Sequence, residues 1–146
     1  MEIPKTVMTI IAAVLIFSVG SLVVLAVANS DSRPEYVSAI SVYINADGTD
    51  ATHIQGALYS ENGALRSTTN QYELVEDSWN VLYFPNPVRV DTKDSNYILT
   101  VQGDGSISIP STGSGYISEP ATYGNFPGTI NNLTSTSDLS IYAIYQ

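Results

Sequence analysis

The sequence predicts a mainly β protein: a long N-terminal hydrophobic α-helix followed by an antiparallel β-sandwich head, jelly-roll or immunoglobulin-like. Three observations carry that expectation. An uncharged run of 22 residues, Val7 to Ala28, stands near the start of the chain. Beyond Pro34 the apolar residues recur with a period of two. Turn signals such as Asn62-Gly63 and Asp104-Gly105 separate the alternating segments. Residues 1–34 are therefore read as helix and hinge, and residues 35–146 as the head.

The first element is VMTIIAAVLIFSVGSLVVLAVA. As a helix rising about 1.5 Å per residue it reaches roughly 33 Å, enough to cross a bilayer core. A helix that is apolar on every side must be surrounded by lipid or by other protein. Thr9, Ala12, Ala13, Ser18, Gly20 and Ser21 are small enough to let neighbouring helices approach closely. Pro4 suits a helix start, and Glu2 favours the positive end of the helix dipole. Ala26-Val27-Ala28 also forms an A-x-A-like cleavage site. The run, however, exceeds the ~7–15 residues of a signal peptide, and residues 1–6 carry no net positive charge. A membrane anchor and a helix bundled with copies of itself stay open as alternatives.

A short polar leader, an apolar helix of this length and a directly attached β-rich head resemble type IV pilins, particularly the archaeal kind. The resemblance covers the architecture and about residues 1–30. It implies a homopolymer whose helices bundle in the filament core, with the chain held in the membrane before assembly. Val7, Ile10, Ile11, Ala13, Val14, Phe17, Gly20, Ser21 and Val24 would then lie at contacts between copies. One departure is plain. Bacterial type IV pilins carry glutamate at the fifth mature position, where this chain has Lys5.

The hinge Asn29 to Pro34 is polar, and Pro34 discourages continuation of a helix. YVSAISVYI, Tyr36–Ile44, then places Ile40, Val42 and Ile44 on one face of a strand. Asn45-Ala46-Asp47-Gly48 reads as a turn. His53–Ser60 is a second strand with Ile54 and Leu58 on one face, and Asn62-Gly63 closes a hairpin. Further strands are expected at about Gln71–Val75, Trp79–Phe84, Asn96–Gln102, Ser106–Ile109, Gly115–Ser118 and Leu139–Tyr145. Short strands at this spacing spell a sandwich, and a head of this size buries an adequate core without disulfides. The stretches ALYSENGALRSTTNQ, SWNVLYFPNPVRV, NYILTVQGDG, ATYGNFPGTI and SIYAIY resemble a sandwich domain of secreted and surface proteins. That resemblance implies a jelly-roll-like display or carbohydrate-binding module.

Composition excludes several chemistries. The chain carries a net charge of −9, all of it beyond residue 28, so nucleic acid is not an expected partner. There is no cysteine and one histidine, which removes thiol nucleophiles, thiolate metal sites and multi-histidine centres. His53 is expected as an exposed strand-edge residue. Glu73, Glu76 and Asp77 cluster on one hairpin as a solvated turn, without the separation that paired catalytic carboxylates require. Asn45, Asp47 and Asp50 echo a calcium loop, but Gly48 is misplaced for an EF-hand and no glutamate follows. No catalytic residue, metal ligand or cofactor is assigned.

Ten tyrosines and one tryptophan raise the question of sugar stacking. Trp79 begins WNVLYF, which reads as core, and Tyr43, Tyr59, Tyr97 and Tyr142 alternate with apolar neighbours as half-buried filler. Tyr116 and Tyr123, in a Gly/Ser/Pro-rich stretch, are the expected ligand-binding residues. Asn132 heads the one N-x-[ST] sequon, a glycosylation site in an exported protein. The expected function is a structural subunit of an extracellular filament serving adhesion or surface attachment, with surface glycans as further partners. The alternative is a single-pass, membrane-anchored, lectin-like receptor. Neither is an enzyme.

Overall fold

The computed structural model describes residues 21–27, 34–91, 97–112, 117–120, 122–130 and 138–146. Among the described residues the chain is strand and turn, with no helix. Eleven strands form: β1 (Ser21–Val27), β2 (Pro34–Ile44), β3 (His53–Ser60), β4 (Leu65–Thr68), β5 (Tyr72–Glu73) and β6 (Ser78–Asp91), then β7 (Tyr97–Gly103), β8 (Ser111–Thr112), β9 (Ile117–Pro120), β10 (Asp138–Leu139) and β11 (Ile141–Tyr145).

The expected N-terminal helix is overturned where the chain is described. Ser21–Val27 is a strand, antiparallel to β7 on one side and β9 on the other. A run that is apolar at nearly every position carries no period, so helix and interior strand fit its letters equally well. Three valines in SLVVLAV favour the strand, because branching at Cβ suits extended backbone. Of the residues expected at helix–helix contacts, Ser21 and Val24 lie on β1, paired with Pro120 and with Thr100 and Ile117. Val7, Ile10, Ile11, Ala13, Val14, Phe17 and Gly20 lie outside the described residues. No described helix is long and apolar enough to cross a membrane.

Two antiparallel sheets make the sandwich. The larger runs β4-β3-β7-β1-β9, with β5 also paired to β3, and the smaller runs β11-β2-β6. A two-stranded β10-β8 ribbon stands apart from both. Ile40, Val42 and Ile44 of β2 and Leu82 of β6 are fully buried, as are Ile54, Leu58, Leu99 and Val101 of β3 and β7. The sheets approach closely at Gly56: a methyl group there would lie 2.9 Å from Ile40 Cδ1 and 3.3 Å from Leu82 Cδ1.

β6 extends well past the expected Phe84. Opposite Ser38 the pairing with β2 breaks between Tyr83 and Val88, so Phe84-Pro85-Asn86-Pro87 loops out before the ladder resumes. Two prolines cannot donate to a ladder, and a bulge accommodates them. β4 was not expected, and Ser106–Ile109 forms an isolated bridge, Asn45 to Ser108, rather than a strand.

A third layer covers the far face of β3 and β7. The Tyr59 hydroxyl donates to Pro127 O at 2.7 Å, Gln102 Nε2 donates to Thr122 O at 3.1 Å, and Gly124 N donates to Gln102 Oε1 at 2.8 Å. Leu65 N donates to Gly128 O, and Ile130 N to Gly63 O. These bonds bind 122–130 across the sheet, and all seven residues of β7 are buried. Burial also pushes the Tyr59 phenol pKa upward.

Candidate functional site

The outward face of β11-β2-β6 has a composition unlike the rest of the molecule. Because β2 buries Ile40, Val42 and Ile44, its alternate residues Ala39, Ser41 and Tyr43 point away from the core. Register sets Tyr43 opposite Trp79, Ser41 between Val81 and Tyr142, and Ala39 between Tyr83 and Ile144. None of these eight residues is charged, in a chain whose net charge is −9.

The middle strand carries small residues, and this decides how the rings lie. Ala39 and Ser41 face outward yet are 0% exposed, so their larger neighbours lie across them. Trp79, near the start of the edge strand β6, meets two tyrosine rings. Its ring is 5.6 Å from that of Tyr43 at 79° and 5.2 Å from that of Tyr142 at 58°. Edge-on and tilted contacts of this kind hold an indole in one orientation. Trp79 is nevertheless 47% exposed and Tyr83 51% exposed. A half-exposed aromatic ring leaves on the order of 2 kcal/mol of apolar burial unrealised. The Ser41 hydroxyl beneath the rings is buried without a hydrogen-bond partner in the protein.

Trp79 was expected in the core, and the structure reverses that. Before the bulge in β6 the buried residues are Asn80, Leu82 and Phe84, so Trp79, Val81 and Tyr83 take the opposite phase. Asn80 holds the inward position because its amide is satisfied locally: Oδ1 accepts Val75 N at 2.8 Å, and Nδ2 donates to Val75 O and Ser78 O. A polar residue that caps its own turn can occupy a core position, and WNVLYF does not reveal this. Tyr59 and Tyr97 are buried, whereas Tyr142 is exposed and Tyr43 half-buried.

A second, polar node lies at the start of β3. His53 Nδ1 lies 3.0 Å from Asp104 Oδ2 and 2.9 Å from Thr52 Oγ1. Asp104 also accepts Thr52 N at 2.7 Å, His53 N at 2.9 Å and the Thr52 hydroxyl at 2.8 Å. Partial burial opposes ionisation of this carboxyl, but the His53 and Thr52 donors outweigh it and hold the pKa well below its usual range. Asp104 thus fastens the β7–β8 turn to the start of β3. Both side chains are partly open to water, at 50% and 30%, and the Thr52 hydroxyl and the Asp104 carboxylate meet the imidazole at the same nitrogen, Nδ1. Asp50 works in the same way, its Oδ1 accepting Ser106 N at 2.5 Å.

A carboxyl whose folded-state pKa is depressed stabilises the fold above its ordinary value of 3.8, and that contribution fades as pH falls below it. Asp104→Asn is expected to cost about 1–2 kcal/mol near neutral pH, discounted for solvent exposure. Urea melts of both proteins should converge as the pH drops below about 4. A gap that stays constant down to strongly acid pH refutes the assignment.

The other expected residues lie apart from the aromatic face. Tyr123 is half-buried in the 122–130 layer. Burial, with the Asp104 charge as a second cause, pushes its phenol up to about 12. Tyr116 and Asn132 lie outside the described residues. Glu73, Glu76 and Asp77 are exposed, and Asp77 Oδ1 accepts Ala46 N at 2.9 Å. Asn45 and Asp50 serve the turns: Asn45 O accepts the Thr49 hydroxyl, and Asp50 accepts Ser106 N. Among the described residues no three acidic or imidazole side chains converge as a metal site. No family model, no curated protein and no solved structure matches this chain.

Proposed function

We propose that this chain is a non-catalytic surface protein that serves attachment through the outer face of its β11-β2-β6 sheet. The observation that carries the reading is the half-exposed Trp79, held between Tyr43 and Tyr142 on an uncharged field. An ordered aromatic cluster left in water marks a contact surface, whereas isolated exposed apolar residues are ordinary. The acidic, hydroxyl-rich composition suits display outside the cell. A helix-bundled filament core forms no part of this proposal, because Ser21–Val27 is a strand.

The test uses beads coated with the full chain and passed over envelopes of the producing cell. Trp79→Ala is expected to lower bead retention at least tenfold with an unchanged thermal melt. Retention equal to that of the parent chain overturns the reading.

A further inference from the structure

We infer that the partner of this aromatic face is a neutral polysaccharide. The inference rests on the attachment reading and specifies its ligand. Its basis is the combination of ring orientation, charge and rim chemistry on one sheet face.

A pyranose ring presents axial C–H groups on its faces and hydroxyls around its edge. It is recognised by a flat apolar surface bordered by hydrogen-bonding groups. The face supplies both. Ala39 and Ser41, fully covered, leave room for the neighbouring rings over the middle strand, and the half-exposed Trp79 indole supplies the apolar surface. Trp79, the largest, is fixed from two sides by Tyr43 and Tyr142, so little side-chain freedom remains to be lost on binding. Tyr43 and Tyr142 touch it, Tyr83 lies further along β6, and each phenol both donates and accepts.

Charge selects among polymers. A polyanion requires lysine or arginine, and neither occurs among the outward positions from Ala39 to Tyr43, Trp79 to Tyr83 or Tyr142 to Ile144; the exposed Arg89 lies beyond the bulge, opposite Tyr36. The overall charge of −9 further repels nucleic acids and acidic glycans. A cationic partner would be drawn to the carboxylates elsewhere on the molecule. Length matters too. Trp79 and Tyr83 are four residues apart on one strand face, roughly 13 Å at about 3.3 Å per residue. That separation suits a chain of sugars rather than a single ring.

The single tryptophan makes the test direct, because intrinsic indole emission reports on this face alone. The full chain, kept in solution by a detergent without a sugar headgroup, is titrated with cello-, xylo-, manno- and laminari-hexaose. At least one is expected to shift Trp79 emission saturably, and polygalacturonate is expected to leave it unchanged. In affinity gels containing the corresponding polysaccharide, Tyr142→Ala and Tyr83→Ala should weaken retardation at least tenfold. Trp79→Phe, which keeps a stacking ring, should retain most of it, and matching thermal melts separate lost binding from lost folding. No shift with any neutral hexaose overturns the inference, as does equal retardation by the anionic polymer. The attachment reading is separable: beads whose retention depends on Trp79 while no neutral sugar binds leave it standing and assign a protein partner. In that case, emission that shifts with protein concentration alone identifies the partner as a second copy of this chain.

Discussion

Replacing Gly63 with alanine is expected to remove at least about 3 kcal/mol from the stability of the fold. Two causes add. Gly63 has φ +83°, a conformation that strains any residue with a Cβ by about 1–2 kcal/mol. The new methyl would also collide with the carbonyl oxygen of Ile130, a backbone atom that cannot rotate aside. The same glycine donates to Ser60 O at 2.8 Å and accepts Ile130 N at 2.9 Å, so relieving the collision breaks the seam between the β3–β4 turn and the 122–130 layer. Gly128, on the same seam, has open space where its methyl would go, and Gly128→Ala should change stability by less than about 0.5 kcal/mol. Urea denaturation of the two variants makes the comparison. Equal stabilities would show that 122–130 does not pack on that turn.

Ile40→Ala is expected to cost about 2–5 kcal/mol, the range for emptying a large buried aliphatic position. Ile40 is fully buried on the middle strand of its sheet, and its Cδ1 is the nearest atom to the space a Gly56 side chain would fill. Gly56→Ala alone should destabilise by about 1–3 kcal/mol through overpacking. Together the two changes should cost less than their sum by at least about 0.5 kcal/mol, because the new methyl enters space vacated by Ile40. Thr100 O, 3.2 Å from that methyl, limits the recovery. Strict additivity in a double-mutant cycle would contradict the face-to-face contact of the two sheets.

The alternating segments were legible because each buries one face and wets the other. His53–Ser60 has the same limits in sequence and structure, and Ile40, Val42 and Ile44 point inward as their spacing requires. The turns at Gly48 and Gly63 announce themselves, since each glycine adopts a positive φ that other residues resist. The position of Asp77, also at positive φ, had no such signal. β4, whose four residues are polar or half-buried, showed no period to read.

Less of the site than of the sheets is legible in the sequence. In WNVLYF a polar residue, Asn80, takes the inward position by bonding to its own turn, and the aromatic phase is thereby reversed. Nothing in the six letters distinguishes an inward Trp79 from an outward one. The pairing of β6 with β2, and of β2 with β11, assembles Trp79, Tyr43 and Tyr142 from positions up to 99 residues apart.

The amino-acid sequence by itself determined the β character beyond Pro34, the acidic net charge, and the absence of cysteine. Each is a local or summed property, decided by period and composition alone. Tertiary structure decided the rest. Ser21–Val27 is a strand because β7 and β9 offer it two hydrogen-bonding edges, a choice that an all-apolar run cannot make for itself. The aromatic face exists because register across three strands sets small residues beneath large rings, and register is a property of paired strands rather than of any one.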